Sequence, residues 1–416
     1  MASQTENFAL IRVVGVGGAG SNAVNRMIRA ELLGVEFIAV NTDAQALVKS
    51  HAPTRIRIGD AISRGLGAGG DSAVGERAAH EDLENLRKAL DGSDLVFVTA
   101  GMGGGTGSGA APVVAKVAKD LGALTIGIVT KPFEFEGKRR AAVAHAAAEE
   151  LRKYVDTLIV IPNERLLNVV SRQTSMEDSF RIADDVLRQA VQGVSDVITV
   201  PGIINLDFAD VRSIMKEAGS ALMGIGRASG ENRARAAAEL AILSPLLELD
   251  IQGATGVLVN VAASSTVTLH EVNEAINHIT ERADPEANII FGTSLDETLA
   301  DEVQITVIAT GFAGNARSQS SAAALQRSEY PYGGADDATP RWSSTTESSA
   351  PSVGTSPMGG AAPAAQPSAT PAWTPVTHPA VAQPSGDAVQ GADAGVTPSP
   401  VPSDELEIPA FLRRRS

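Results

Sequence analysis

The run Gly101-Met102-Gly103-Gly104-Gly105-Thr106-Gly107-Ser108-Gly109 constrains this chain more than any other stretch. An apolar segment, Asp94-Leu95-Val96-Phe97-Val98-Thr99-Ala100, leads into it, and Ala110-Ala111-Pro112-Val113-Val114-Ala115-Lys116-Val117-Ala118 leads out. The pattern predicts a strand, a glycine loop and a helix. Glycines let backbone N–H groups turn inward with no Cβ in the way, and the helix behind points its positive end at the loop. Thr106 and Ser108 add two hydroxyl donors. That is the chemistry of an anion cradle, most often for phosphate; a plain flexible turn is the competing reading. The loop holds no lysine, which separates it from a Walker P-loop.

Strands and helices alternate around it. Phe8–Val14 reads as a strand, Gly15-Val16-Gly17-Gly18-Ala19-Gly20 as a second glycine loop, and Ala23–Ile28 as a helical run. A strand over Glu36–Val40 ends in Asn41-Thr42-Asp43. A third glycine loop, Gly65–Gly70, precedes a helix predicted near 73–90. Strands follow at Leu124–Val129 and Thr157–Ile161. This alternation argues for βαβ units and a parallel sheet covered on both faces. In such sheets ligands sit beyond the carboxyl ends of the strands, where all three glycine loops fall.

From about Ser175 to Thr199, Phe180, Ala183, Leu187, Ala190, Val191, Val194 and Ile198 recur at spacings of three and four. That is one long helix, ended by Pro201-Gly202. A second unit over 203–315 carries helices near 207–218, 231–243 and 270–282, with strands at Gly256–Val261, Ala287–Phe291 and Val303–Ala309. The polar loop between the last two strands suits a mixed or antiparallel sheet.

Composition changes near residue 317. Of the 21 prolines, 14 lie from Pro331 onward, and both tryptophans, Trp342 and Trp373, fall there too. Such a segment cannot bury enough apolar surface to offset its ordering entropy, so 317–403 reads as a disordered linker. As a random coil its ends would lie about 50 Å apart. Beyond it Asp404–Ser416 has an acidic head, an apolar centre and a basic tail, the pattern of a peptide that docks into a partner's groove.

There is no cysteine, so disulfides and thiolate chemistry are excluded. His51, His80, His145, His270 and His278 show no metal-ligand spacing. Net charge is −15, which argues against broad nucleic-acid binding. The first residues lack the features of a signal peptide, and no apolar run approaches the roughly 20 residues of a membrane span. The expectation is a soluble, cytoplasmic protein with no direct membrane span and no nucleic-acid partner.

The first loop has a rival meaning. Gly15–Gly20 is a GxGxxG between strand and helix, and Asp43 stands near the place of a ribose-binding acid, so an NAD-dependent oxidoreductase is an alternative. Against it, Asp43 lies three residues past the last apolar residue of its strand. A dinucleotide also needs only one phosphate cradle, whereas this chain offers at least two. Two loops converging on one polyphosphate fit a nucleoside triphosphate better.

Gly103-Gly104-Gly105-Thr106-Gly107-Ser108-Gly109 resembles the signature loop of the tubulin/FtsZ family. Gly15-Val16-Gly17-Gly18, Ala39–Gln45, Lys131-Pro132-Phe133, Phe135–Arg140 and Asn205–Asp210 are similar to its FtsZ branch, the bacterial tubulin homologues of cell division. The likeness runs from about residue 8 to 315. Residues 404–416 resemble that family's tail, while the linker resembles nothing.

The resemblance implies an α/β fold with a Rossmann-like, parallel-sheet GTP-binding domain over 1–174. A central helix over 175–202 and a second α/β domain with a mixed sheet, an activation domain, over 203–316 would follow. The linker and a partner-binding tail complete the chain. It implies an assembly-dependent GTPase that binds GTP/GDP with Mg²⁺ and polymerises head to tail into a division ring at midcell. Membrane-tethering and regulatory division proteins would be held through 404–416. Gly18, Ala19, Gly20, Ser21 and Asn22 would line the phosphates from the first loop, and Gly105, Thr106 and Gly107 from the signature loop. Glu136 and Arg140 would contact the sugar and Asp184 the guanine, whose N1–H and 2-amino group suit a carboxylate. Unaided, Asp184 beside Asp185 reads as a solvated helix face. Asp207 and Asp210 with Asn205 would act on the water that attacks GTP held by the next subunit. From spacing alone those two carboxylates read as helix-start residues favoured by the dipole. No metal ligand among the side chains is expected, and a non-catalytic filament scaffold remains a third class. Ala19 and Ser21 depart from many relatives, and Asp71-Ser72-Ala73 departs from the usual sequence after Gly70, so no contact is assigned to the third loop.

Overall fold

The computed structural model describes residues 9–168, 171, 173–247 and 251–312; the linker at 317–403 and the tail at 404–416 lie outside the described residues. The amino-terminal half winds β1 (Ile11–Val16), α1 (Gly17–Arg29), β2 (Val35–Asn41), α2 (Ala44–Val48), β3 (Thr54–Arg57), α3 (Asp60–Ser63), α4 (Ser72–Glu81) and α5 (Leu83–Leu90). It continues through β4 (Leu95–Gly101), α6 (Gly105–Asp120), β5 (Leu124–Lys131), α7 (Lys138–Arg152), β6 (Thr157–Pro162) and α8 (Asn163–Leu166). Strands β1 to β6 are parallel in the order β3-β2-β1-β4-β5-β6. Alternate strand residues bury on opposite faces. Ile11 and Val13 join one core with helix α1, and Val14 and Val16 join another with α4, α5, α6 and α7. The doubly covered parallel sheet expected from the alternation is present.

The helix expected at 73–90 is two helices. Asp82 breaks it because its carboxylate is used elsewhere, accepting from Gly59 N at 2.8 Å and from Asn85 Nδ2 at 2.9 Å. The short edge strand β3, with one half-buried residue among four, carries too little apolar pattern to be read from sequence.

After α8 comes α9 (Met176–Thr199), whose start is fixed by Ser175 accepting from Asp178 N at 3.0 Å. Its buried stripe, including Val186, Leu187, Val191 and Val194, lies in the same core as α1. The first turn sits beside Phe133, just past the carboxyl end of β5, with the rings of Phe180 and Phe133 edge to face at 5.5 Å. The last residue, Thr199, packs on Gly34, which precedes β2 at the amino edge of the sheet. Twenty-four residues at about 1.5 Å each make α9 about 36 Å long, so it crosses the whole sheet.

Then follow α10 (Phe208–Met215), β7 (Gly219–Ser229), α11 (Arg233–Ile242), β8 (Gly256–Ala263), α12 (Leu269–Thr280), β9 (Asn288–Leu295) and β10 (Glu302–Thr310). The eleven-residue β7 is absent from the sequence reading, yet it joins the two halves. Its first residues pair parallel with β6 and the rest antiparallel with β10, making one ten-stranded sheet. Gly224 and Gly226 hide it from pattern reading. Both are there because α11 lies on the strand backbone: a Cβ on either would stand 2.0 Å from a carbonyl oxygen of α11. The second half is mixed, as expected, since β10 runs antiparallel to β8 and β8 parallel to β9. The last two strands of the chain are not neighbours, because β8 separates them. A further core of α11, α12, β8 and β10 residues fills this half.

Candidate functional site

The first and signature loops place two helix starts side by side at the carboxyl edge of the sheet. Neither α1 nor α6 receives a side-chain cap, and neither has an acidic residue in its first turn. Side chains cap α2, α4, α9, α10 and α12 through Asp43, Asp71, Ser175, Asp207 and Thr268, while α7 and α11 also start with neither a side-chain cap nor an acid; what sets α1 and α6 apart is that their starts meet. Two uncapped positive ends leave N–H groups for an outside acceptor. They are close: a Cβ on Gly17 would lie 2.9 Å from Gly107 N. Gly18 and Gly104 face open space, with nothing within 4 Å of a Cβ built on either. The Ser21 hydroxyl, near the start of α1, is buried and has no partner among the described residues. Asn22 beside it is exposed. This arrangement fits a polyphosphate.

Many of the glycines serve packing. A Cβ on Gly20 would stand 2.4 Å from Thr99 O, on Gly105 3.0 Å from Asp71 N, and on Gly109 2.0 Å from Ser72 O. A Cβ on Gly107 would be 2.6 Å from Gly101 O, while Gly103 takes φ +93 and lies against Arg140. Ser108 also differs from expectation: its Oγ accepts from Gly103 N at 2.8 Å and is buried, so it braces the loop from inside. Ala19, the departure in the first loop, packs its methyl over Gly101, which has no side chain to meet it.

Glu136 and Arg140 sit next to this cradle. Glu136 Oε1 accepts from Phe133 N at 2.8 Å, and its Oε2 pairs with Arg140 Nη1 at 3.0 Å. Arg140 is half exposed and touches Gly103, so both residues border the signature loop. Asp184 lies two turns into α9. Burial pushes its carboxyl up to about 7; Arg26 of α1 opposes that rise and Asp185 adds to it. The adjacent Asp185 goes the other way. Burial alone would raise it, but hydrogen bonds from Arg188 Nε at 2.7 Å and Gln189 Nε2 at 2.6 Å, with the Arg188 charge, hold it below the usual carboxylate range. Asp184 is therefore no solvated helix-face residue.

Two neighbours escaped the sequence reading. Phe180 precedes Asp184 by one helical turn and is partly exposed, which offers a flat face beside the carboxylate. Asn163 is buried at the tip of β6, and its Oδ1 has no partner among the described residues. A polar residue directly behind a strand's carboxyl end was the available signal for Asn163. Phe180 instead reads as one more apolar residue of the helix stripe. Asp43, the acid of the dinucleotide alternative, accepts from Gln45 N at 2.8 Å and Ala46 N at 3.2 Å and caps α2.

Asn205, Asp207 and Asp210 lie elsewhere. Asp207 is the N-cap of α10, its Oδ1 accepting from Asp210 N at 2.8 Å, the helix-start role that spacing suggests. Asn205 Oδ1 accepts from Gly202 N at 2.6 Å. Among the described residues no hydrogen bond or ion pair engages the Asp210 carboxylate. This loop follows the end of α9 at the amino edge, so α9 holds the carboxylates and the cradle at opposite ends of the sheet.

Residues 10–171 match the Tubulin/FtsZ family, GTPase domain, and residues 219–313 match the FtsZ family, C-terminal domain. A solved FtsZ from M. jannaschii, an empty dimer, is 45% identical, with a TM-score of 0.72 over 74% of this chain and 90% of that one. The chain belongs to the tubulin/FtsZ family. CetZ1 of Haloferax volcanii, a GDP-bound monomer, shares the fold at 22% identity, with a TM-score of 0.64 over 76% of this chain and 99% of that one. CetZ2 of the same organism, a GTPγS-bound protofilament, does so at 20% identity and a TM-score of 0.62, over 77% of this chain and 100% of that one. As a family member the chain carries a GTPase domain for GTP and GDP. Among the described residues no helix is long and apolar enough to cross a membrane.

Proposed function

We propose that this protein hydrolyses GTP only where one copy stacks on the next, and that the resulting filaments build a division ring at midcell. The observation that supports this most is the separation along α9. The phosphate cradle has uncapped helix ends and no acidic first turn, while Asn205, Asp207 and Asp210 follow the far end of α9, a helix about 36 Å long. One copy cannot bring the two together. Head-to-tail stacking does so at every junction, with residues 1–174 holding GTP and residues 203–316 of the next copy completing the site.

Within such a junction Gly18, Ala19, Gly20, Ser21 and Asn22 and Gly105, Thr106 and Gly107 hold the phosphates, mainly through backbone N–H groups. Glu136 and Arg140 face the sugar. Asp184 accepts from guanine N1–H and the 2-amino group, and Phe180 stacks beside it. From the facing copy Asp210 orients and polarises the attacking water. Asp207 keeps Oδ1 on its cap and Asn205 keeps Oδ1 on Gly202 N, which leaves a second carboxylate oxygen and an amide NH₂ toward the same water. No side chain is assigned to hold a metal; Mg²⁺ bound together with the nucleotide would supply the positive charge that the lysine-free loop lacks. Residues 404–416 hold membrane-tethering and regulatory proteins.

The test is GTP turnover per subunit across a dilution series, with bound nucleotide measured in parallel. Turnover should rise with concentration while binding at fixed GTP excess stays flat. A constant turnover per subunit down to high dilution would end the shared-site reading. Removing 404–416 should leave turnover and polymer formation intact and abolish recruitment to a tether.

A further inference from the structure

Thr42 plays no part in the site as drawn so far, yet it is the contact that joins the second strand to the signature loop. Its Oγ1 lies 2.7 Å from Oγ1 of Thr106. Thr42 is fully buried, and Thr106 is half-buried on the first turn of α6. The Thr42 backbone is held from behind. Its carbonyl accepts from Ser63 Oγ at 3.2 Å and from Gly67 N at 3.2 Å. The next residues are tied to the same stretch by Ala44 N to Gly65 O at 3.0 Å and by a bridge between Asp43 and Leu66. The third glycine loop, for which sequence offered no role, thus anchors Thr42. Across the gap, Thr106 Cβ and Gly107 N crowd Gly17.

We infer that Thr42 is a positioning residue that aims the Thr106 hydroxyl at the phosphate, an inference that rests on the nucleotide reading above. Two hydroxyls in one hydrogen bond use one of their two protons. With an anion in the cradle, the favoured order is Thr42 donating to Thr106 and Thr106 donating to the anion. Each O–H then polarises the next. No other hydrogen bond engages the Thr106 hydroxyl among the described residues, so the Thr42 bond selects its rotamer. Thr42 therefore serves Thr106 without touching the ligand.

The experiment is a double-mutant cycle read as GTP and GDP affinity in the full chain, with thermal unfolding without nucleotide as a control. Thr42→Val keeps shape and loses the hydroxyl; Thr42→Ser keeps the hydroxyl. Thr42→Val should weaken GTP binding about tenfold, through the loss of the Thr106 hydrogen bond to the charged phosphate that Thr42 aims, and Thr42→Ser should stay within about threefold. In a Thr106→Val background the added Thr42→Val change should cost less than about twofold, because the residue it acts through is gone. Equal losses in both backgrounds would mean that Thr42 acts only through the fold, and wild-type affinity in Thr42→Val would overturn the inference outright. If the unmutated chain bound neither nucleotide, the functional reading itself would fail and this inference with it. Binding by the unmutated chain with no coupling in the cycle would sink the Thr42 role alone.

Discussion

Asp184 and Asp210 are both helix-borne, half-buried carboxylates, and they differ in what lies against them. Asp184 lies against α1 near the start of α9, where burial lifts its carboxyl to about 7. Asp210 stands in the first turn of α10, beyond the other end of α9, with no hydrogen-bond partner for its carboxylate among the described residues. In the proposed reading the first recognises a base within its own copy and the second acts on the ligand of another copy. The same helix lies between the two groups.

The sharpest way to break this contrast is Asp210→Ala. Turnover should fall by a factor on the order of 10² to 10⁴, as for loss of a group that handles the water's proton, with GTP affinity unchanged. Equal mixtures with a cradle-defective copy should recover part of that turnover, since each supplies the half the other lacks. Phosphate release at matched total protein decides it, and a mixture no faster than its components would refute trans action.

Gly104→Asp supplies the defective copy. Gly104 has φ −91 and nothing within 4 Å of a built Cβ, so an aspartate fits without strain. Its charge in the cradle should weaken GTP binding by on the order of a hundredfold, about the worth of replacing a favourable charge contact by a repulsive one. Circular dichroism and thermal unfolding should stay near the parent's. If GTP affinity were retained, the two helix ends would not be the phosphate site.

Asp184 yields a smaller effect with two signs. If guanine needs the ionised carboxyl, GTP affinity should rise about tenfold between pH 6 and pH 8 as a group near 7 loses its proton. Stability without nucleotide should move the opposite way. The raised group keeps a proton in the folded state that the unfolded chain has lost, so its stabilisation is full below the ordinary carboxylate range and disappears as pH rises through 7. Asp184→Asn should flatten both curves. Titration calorimetry and thermal melts across pH measure them.

Ala19→Gly should do least. The Ala19 methyl packs on Gly101 and the contacts expected there are from backbone, so GTP affinity should stay within about twofold, with stability down by about 0.5–1 kcal/mol for a helix glycine. A tenfold loss of affinity would show that the methyl itself shapes the cradle.

What could be read from residues alone was what depends on short-range pattern. The apolar run before Gly101, the glycines after it and the helical stripe from Phe180 to Ile198 each state their element locally, and together they demand a parallel sheet with loops at its carboxyl edge. Strand β7 escaped because Gly224 and Gly226 answer to α11 lying across them, a contact with residues more than ten positions on. Ser108 reads as a ligand donor until the loop closes and gives it Gly103 N. Asp184 beside Asp185 reads as a solvated pair until the helix packs, which takes both carboxylates partly out of water and gives only Asp185 the partners Arg188 and Gln189.

The sequence by itself marked strand-linked glycine loops suited to an anion, a long helix and a second α/β unit, because glycine conformational freedom and apolar period are properties of neighbouring residues. Only the tertiary structure decided which glycines face open space and which face backbone. It alone put the carboxylates and the cradle at opposite ends of α9, a helix about 36 Å long, and brought Thr42 to Thr106 across 64 positions of chain. Distances of that kind follow from how layers pack, and no local pattern encodes them.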